Sequence, residues 1–313
     1  MKQKISVIAP CYNEEEVVDK FYDRMSKVLK GFTDYDYEMI FVNDGSKDNT
    51  LDMLVDLANK DENVKVVSFS RNFGHQAAVT AGMRNSTGDA VVIIDVDLQD
   101  PPETIGDMVE LWKQGNDVVY AVRKTREGES KFKLMTAKAF YRVLNKLSDV
   151  YIPLDTGDFR LIDRKVVDVI CAMPEHNKFL RGLGSWVGFK QIPYEYDRKQ
   201  RAAGKTKYPL KKMLKLALDG MISFSTKPLK IIAGLGIFNI ILSFAILVYA
   251  LCSYIFELNT LMPGWTSIMV TMTFMFGMLF IAIWILAEYI SRIYDETRKR
   301  PEYIIRDKFN LDK

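Results

Sequence analysis

The stretch that decides the fold is AVVIIDVDLQDPPE, residues 90–103. Ala90 to Ile94 is a short, β-branched apolar run, the pattern of a strand buried on both faces. It runs into Asp95, Asp97, Gln99 and Asp100, and then into the Pro101-Pro102 break. Carboxylates crowded at the mouth of a strand repel one another and lose hydration unless a cation joins them. The plainer reading is a polar turn, with Asp100 starting a helix at Pro101. The rest of the chain has to decide between the two.

Upstream, apolar runs and helical patterns alternate. Ile5–Ala9, Tyr37–Val42 and Val64–Phe69 read as strands. Glu14–Leu29, residues 50–60 and residues 75–85 read as helices, the second with Leu51, Leu54, Val55 and Ala58 on one face. Such alternation predicts an α/β fold with a Rossmann-like, mostly parallel sheet, whose ligands bind at the carboxyl ends of the strands. Each strand end carries a polar cluster: Pro10-Cys11-Tyr12-Asn13-Glu14, Asn43-Asp44-Gly45-Ser46, Ser70-Arg71-Asn72-Phe73-Gly74 and the Asp95 stretch. In a parallel sheet these ends share one edge. Tyr12 and Asp44 suit a base and a ribose, while the oxygens of Asp95, Asp97 and Gln99 suit Mg²⁺ or Mn²⁺ bridging to phosphates. No GxxxxGK[ST] or GxGxxG occurs, which removes support for a kinase, an ATPase or a dinucleotide fold.

Composition narrows the class further. A net charge of +3 over 313 residues gives no argument for nucleic acid. Cys11, Cys171 and Cys252 lie far apart, as in a reducing compartment, and two histidines argue against a His-rich zinc site. Hydropathy is strongly segregated. Leu229–Phe256 carries one charge, Lys230, and Thr266–Ala287 carries none, so each is long enough to cross a bilayer as a helix. The link ELNTLMPGW has no Lys or Arg, whereas Lys227, Lys230, Arg292, Arg298, Lys299 and Arg300 flank the pair. The positive-inside rule then predicts a two-span anchor in the plasma membrane with both termini cytoplasmic. The start, MKQKISVIAP, lacks the apolar core of a signal peptide. Between domain and anchor, PLKKMLKLALDGMISFS sets lysines against an apolar face and reads as an interfacial helix. The expected organisation is a catalytic domain at 1–208, the interfacial helix at 209–226, a transmembrane hairpin at 227–290 (spans about 229–256 and 266–288) and a tail at 291–313. Residues 123–140 are charged and read as a mobile surface segment.

PCYNEEE, VNDGSKDNT, SRNFGHQAA, DVDLQDPPE, GDFRLIDR and RAAGKTKYPL occur in this order, ahead of the apolar hairpin. Together they resemble the family 2 glycosyltransferases of GT-A fold, and within them the polyprenyl-phosphate glycosyltransferases, which include bactoprenol glucosyltransferases and dolichol-phosphate mannose synthases. The resemblance covers nearly the whole chain, and the hairpin and the tail RIYDETRKRPEYII favour the bactoprenol branch. It implies that Pro10, Tyr12, Glu14 and Asp44 hold the nucleotide, that Arg71 and Asn72 serve the nucleotide or the sugar, and that Asp95, Asp97 and Gln99 hold a divalent metal, Mg²⁺ or Mn²⁺. Asp158, with Asp155 nearby, matches the acidic position on the acceptor side, as a base or as a sugar-orienting group. With Asp97 these make up the expected catalytic set. Arg123, Arg201, Lys205 and Lys207 are candidates for the acceptor phosphate, with Thr206 standing where the family's loop usually has Ser. Trp186, Phe189 and His75 are read as packing or structural residues.

The implied reaction is inverting transfer of a sugar from a UDP-sugar to polyprenyl phosphate, undecaprenyl phosphate in bacteria, at the cytoplasmic membrane face. Glucose is the first choice and N-acetylglucosamine the second. A flippase and an outward-facing transferase would follow in the decoration of a surface glycan, and Gly234, Gly236 and Gly277 would allow homo-oligomers through the spans. A processive polysaccharide synthase is the first rival, but the chain has no QxxRW segment and too few spans for a channel. The second rival is an idle membrane-anchored binding subunit.

Overall fold

The computed structural model describes residues 2–123, 156–175, 178–197, 227–255 and 264–311. The described residues fall into two compact units, and the C-terminal residues from Pro301 belong with the first.

The first unit is built on eight strands: β1 (Gln3–Cys11), β2 (Tyr35–Asn43), β3 (Val64–Phe69), β4 (Ala90–Ile93), β5 (Val118–Arg123), β6 (Thr156–Asp163), β7 (Gln191–Tyr196) and β8 (Ile305–Phe309). Their order is β7-β5-β6-β4-β1-β2-β3-β8. Strands β1 to β4 are mutually parallel, and β5 and β7 run with them. Only β6 and β8 run the other way among the described strands. The expected mostly parallel α/β sheet is therefore present, with each expected strand within two residues of its observed bounds.

The helices follow the apolar periodicity. They are α1 (Val18–Lys30), α2 (Thr50–Lys60), α3 (His75–Asn85), α4 (Ile105–Lys113), α5 (Arg164–Ala172) and α6 (Leu180–Trp186). Odd residues of β1 (Ile5, Val7, Ala9, Cys11) meet Phe21, Met25 and Leu29 of α1, Leu54 of α2 and Met108 and Trp112 of α4 in the larger core. The opposite face, Ile40, Val42, Val67 and Phe69, meets Ala77, Ala78 and Ala81 of α3. Small residues let α3 lie close to the sheet. A Cβ on Gly82 would stand 2.3 Å from Ile8 Cγ2, so glycine is required at that contact. This close seat brings the first turn of α3, and with it His75, to the carboxyl edge of the strands.

The second unit contains α7 (Lys227–Ile255) and α8 (Trp265–Thr297), at the positions expected for the two spans. Val270–Thr297 is long and apolar enough to cross a membrane, and Ile232–Ile246 of α7 is a shorter apolar run. The two helices touch through Asn239 with Met278 and Ser243 with Met275. The interfacial helix expected at 209–226 lies outside the described residues, as does nearly all of the segment 123–140.

Candidate active site

The ends of β1, β2, β3 and β4 share one edge as the topology requires, and Asp44 ties the first three together. It follows β2, is buried, and donates its backbone N–H to Cys11 O at 2.9 Å. Its Oδ1 accepts from Phe73 N at 2.6 Å, and its Oδ2 accepts from Gly74 N at 3.0 Å and Asn72 Nδ2 at 2.9 Å. Burial pushes its carboxyl up, and these N–H donors, with His75 and Arg71, offset part of that rise. Gly45, at φ +65°, permits the turn that follows, because a Cβ there would lie 2.4 Å from Arg71 C. The loops after β1 and β2 are tied by Asn13 N to Ser46 Oγ (3.0 Å), Lys47 N to Asn13 Oδ1 (2.8 Å) and Glu14 N to Thr50 Oγ1 (2.8 Å). Pro10 is buried in β1, and Tyr12 and Glu14 are half-buried beside these ties. Arg71 lies with its guanidinium 4.0 Å from the centroid of the Phe73 ring.

The acidic stretch divides into two parts. Asp95 and Asp97 stay partly accessible, and Asp97 Oδ1 accepts from Gln99 N at 3.1 Å across a tight turn at Leu98, φ 58°. Asp100 is buried and accepts from the Tyr196 hydroxyl of β7, a structural role. Its recessed position first, and then Asp158, Asp97 and Asp100, push the Asp95 carboxyl up to about 6, against the pull of His75. Among the described residues no three His, Cys, Asp or Glu side chains are grouped so as to hold a metal by themselves. Hard oxygens from one or two carboxylates, completed by substrate phosphates and water, are how Mg²⁺ is usually bound, and that donor set fits what is here.

Asp158 lies inside β6, not in a turn at a strand end. Arg181 of α6 clamps it in a fork, Nε to Oδ1 at 2.8 Å and Nη2 to Oδ2 at 3.0 Å. His75 Nε2 lies 3.1 Å from Asp158 Oδ2 and 3.8 Å from Asp95 Oδ1, so it stands between the two carboxylates. Burial opposes the charged form of Asp158, but Arg181 and His75 overcome it and hold the carboxyl well below the ordinary range. Burial likewise opposes a charged His75, yet Asp95 and Asp158 raise it to about 9. Arg160, buried beneath, donates to the carbonyls of Gly157 (3.1 Å) and Leu180 (3.3 Å) and so joins β6 to α6. Gln76 Oε1 accepts from Leu180 N at 3.1 Å, which joins α3 to α6.

The sequence reading missed Arg181 and treated His75 as structural. The signals that could have marked His75 were its place at the start of a helix after a polar strand end and its position within SRNFGHQAA. Trp186, read as a packing residue, is 59% exposed at the end of α6, and the expectation of burial was wrong there. Phe189 is half-buried under the Lys165 ammonium, 5.7 Å from its ring centroid. Arg123 closes β5, at the same sheet edge as Asp95. Asp155, Arg201, Lys205, Lys207 and the Arg123 side chain lie outside what the structure describes.

The sequence model of Glycosyl transferase family 2 matches residues 6–171, which takes in β1 to β6 and most of α5. The chain is 48% identical over 98% of its length to the uncharacterized glycosyltransferase YkcC of Bacillus subtilis (strain 168), covering 94% of that protein. It is 42% identical over 97% of its length to the bactoprenol glucosyl transferase of Shigella phage SfX, covering 99% of it. The crystal structure of Mycobacterium tuberculosis glucosyl-3-phosphoglycerate synthase is 20% identical, with a TM-score of 0.49, covering 70% of this chain and 78% of that one. This chain belongs to glycosyl transferase family 2.

Proposed function

We propose that this protein is a membrane-anchored inverting glucosyltransferase that moves glucose from UDP-glucose to polyprenyl phosphate at the cytoplasmic face of the membrane. The observation that carries the reading is the juxtaposition of Asp95 and Asp158 across His75, at the same sheet edge as the Asp44 loops. One side of that edge suits a nucleoside, and on the other an anionic acceptor would need the charge of Arg123, Arg201, Lys205 and Lys207. Family membership and the bactoprenol glucosyl transferases among its relatives support the choice of reaction.

In this reading Pro10, Tyr12, Glu14 and the loops organised by Asp44 and Arg71 hold the nucleotide. Asp95, Asp97 and Gln99 hold Mg²⁺ or Mn²⁺, and what that ion supplies when bound is positive charge against the departing diphosphate. A phosphate oxygen of the acceptor attacks the anomeric carbon from the face opposite the diphosphate. The new C–O bond forms as the bond to the leaving oxygen breaks, and the configuration inverts. A phosphate monoester has its second pKa near 6, so at neutral pH the nucleophile carries no proton that must be removed. Asp158, kept charged by Arg181 and His75, is a poor proton acceptor. Both of its oxygens are engaged, by Arg181 and His75, which supports a role in orienting the sugar or the acceptor. Arg123, Arg201, Lys205 and Lys207 supply cations for the acceptor phosphate, with Asp155 close in sequence to Asp158. Helices α7 and α8 form a two-span anchor with both termini cytoplasmic, so the lipid phosphate reacts without leaving the headgroup region. A flippase and an outward-facing transferase would take the product onward to a surface glycan.

The test is transfer of label from UDP-glucose to undecaprenyl phosphate by the purified full-length protein, with EDTA and with UDP-N-acetylglucosamine in parallel. Labelled lipid from UDP-glucose that EDTA abolishes and Mg²⁺ or Mn²⁺ restores is the expected result. Folded protein that labels no lipid from either donor would overturn the reading.

A further inference from the structure

The chain returns to the first unit after α8. Residues from Pro301 onward join it, and β8 pairs antiparallel with β3 at the edge of the sheet. Nothing in the chemistry of the tail explains this, yet two adjacent side chains lead from it toward the two halves of the site. Tyr303 stacks on Phe69, with centroids 5.0 Å apart and planes at 14°. Phe69 meets Phe73 edge-on at 5.7 Å, and Phe73 N donates to Asp44 Oδ1. Ser70, between them, donates its N–H to Ile304 O at 3.0 Å. The tail thus backs the loop 70–74 from behind, and that loop satisfies the Asp44 carboxylate.

Glu302 turns the other way. Its Oε2 lies 3.3 Å from Lys178 Nζ and 3.5 Å from Arg84 Nη1, and the Lys178 side chain is 1% exposed. Lys178 stands two residues before α6 and also donates to Glu175 O at 2.9 Å. A buried ammonium without a carboxylate is strongly disfavoured, so Glu302 fixes the segment that opens α6. Three residues further on, Arg181 leaves α6 to clamp Asp158.

We propose that Glu302 and Tyr303 are positioning residues. Tyr303 holds the donor-side loop around Asp44 through Phe69 and Phe73, and Glu302 holds the acceptor-side clamp on Asp158 through Lys178 and α6. The proposal rests on the reading of Asp44 as donor-side and Asp158 as acceptor-side. It predicts that neighbouring tail residues affect different substrates, which a simple edge staple would not do.

The experiment uses full-length protein in nanodiscs. UDP binding in the presence of MnCl₂ is measured by calorimetry, kcat and KM are measured with undecaprenyl phosphate varied, and Tm is followed throughout. Tyr303→Ala is expected to weaken UDP about fivefold, the scale of one lost aromatic pair, with an unchanged KM for the lipid. Tyr303→Phe, which keeps the ring, restores wild-type affinity. Glu302→Gln is expected to leave UDP binding unchanged while kcat over KM for the lipid falls about tenfold or more, the scale of one lost charged hydrogen bond. Tyr303→Leu keeps apolar volume without the stack and replaces the alanine variant should that not fold. Variants that only lower Tm, with both substrates handled as in the wild type, overturn the proposal and leave the tail a structural staple. Wild-type protein that fails to bind UDP overturns the donor-site reading itself, and the tail assignment with it.

Discussion

Arg181 gives the sharpest test of how Asp158 works. Its fork makes two charge-assisted hydrogen bonds of 2.8 and 3.0 Å, between side chains 22% and 13% exposed. A solvent-exposed ion pair is worth about 0–1 kcal/mol, whereas removing one partner of a buried pair costs about 3–5 kcal/mol. This pair lies nearer the buried limit, so Arg181→Gln is expected to cost about 2–3 kcal/mol of stability. Where the same energy serves to hold Asp158 in the transition state, kcat falls about 30- to 160-fold. Arg181→Lys keeps the charge but not the planar fork, and loses about fivefold. The assay is the initial rate of lipid glucosylation by the full-length variants, alongside their thermal unfolding and UDP affinity. Unchanged UDP affinity with depressed kcat locates the effect on the acceptor side. A glutamine variant that unfolds earlier but turns over at the wild-type rate would refute the reasoning, because the clamp would then be structural only.

Other perturbations read other parts of the site. Asp97→Ala is expected to lose about 100-fold or more of the EDTA-sensitive transfer and to weaken Mn²⁺ uptake measured by spin resonance with UDP present. Gly45→Ala forces a Cβ to within 2.4 Å of the Arg71 backbone at a positive φ, so about 1–3 kcal/mol of strain appears as a lower Tm and weaker UDP binding. Glu38 is buried and meets Lys65 at 2.7 Å, Lys4 at 3.1 Å, Ser6 Oγ and Thr87 N, which together outweigh burial and lower its pKa from 4.5 to about 2. Because the folded value lies below the unfolded one, this stabilisation is present above pH about 4.5 and is lost as pH falls toward 2; it amounts to about 3 kcal/mol. Glu38→Gln is expected to lower Tm at pH 7 and to flatten the acid slope between those values, as measured by unfolding of the full chain across pH.

What could be read in the sequence was whatever period and order encode. The strands β1 to β4 alternate with helices at a spacing that leaves few topologies open, and the parallel ladder then forces the four polar ends onto one edge. The helices α7 and α8 could be read from apolar runs with almost no charge, and of the two Val270–Thr297 is long and apolar enough to cross a membrane. Beyond Glu103 the reading assigned no strands, and β5, β6 and β7 were missed, because β6 runs antiparallel between β4 and β5 and so breaks the repeating unit. The edge strand β8, IRDKF, sets three consecutive charged residues between Ile305 and Phe309, as suits an exposed edge, and with no apolar alternation it carries too weak a signal to stand out in a charged tail.

The missed site residues share one physical cause. A charged side chain is assigned a partner by distance, and neither His75 nor Arg181 is near Asp158 in sequence. Asp95 alone suggests a cation site, and Asp158 alone suggests a base. Only when α3 and α6 bring His75 and Arg181 to these carboxylates does a division of labour emerge. Asp158 is already neutralised by resident cations, whereas Asp95 shares His75 with it at the longer distance of 3.8 Å and is pushed up to about 6. Two neighbouring acids at one sheet edge are therefore set apart by their neighbours. One is committed to the protein's own charges, and the other is left short of positive charge, which a divalent ion arriving with a diphosphate would supply.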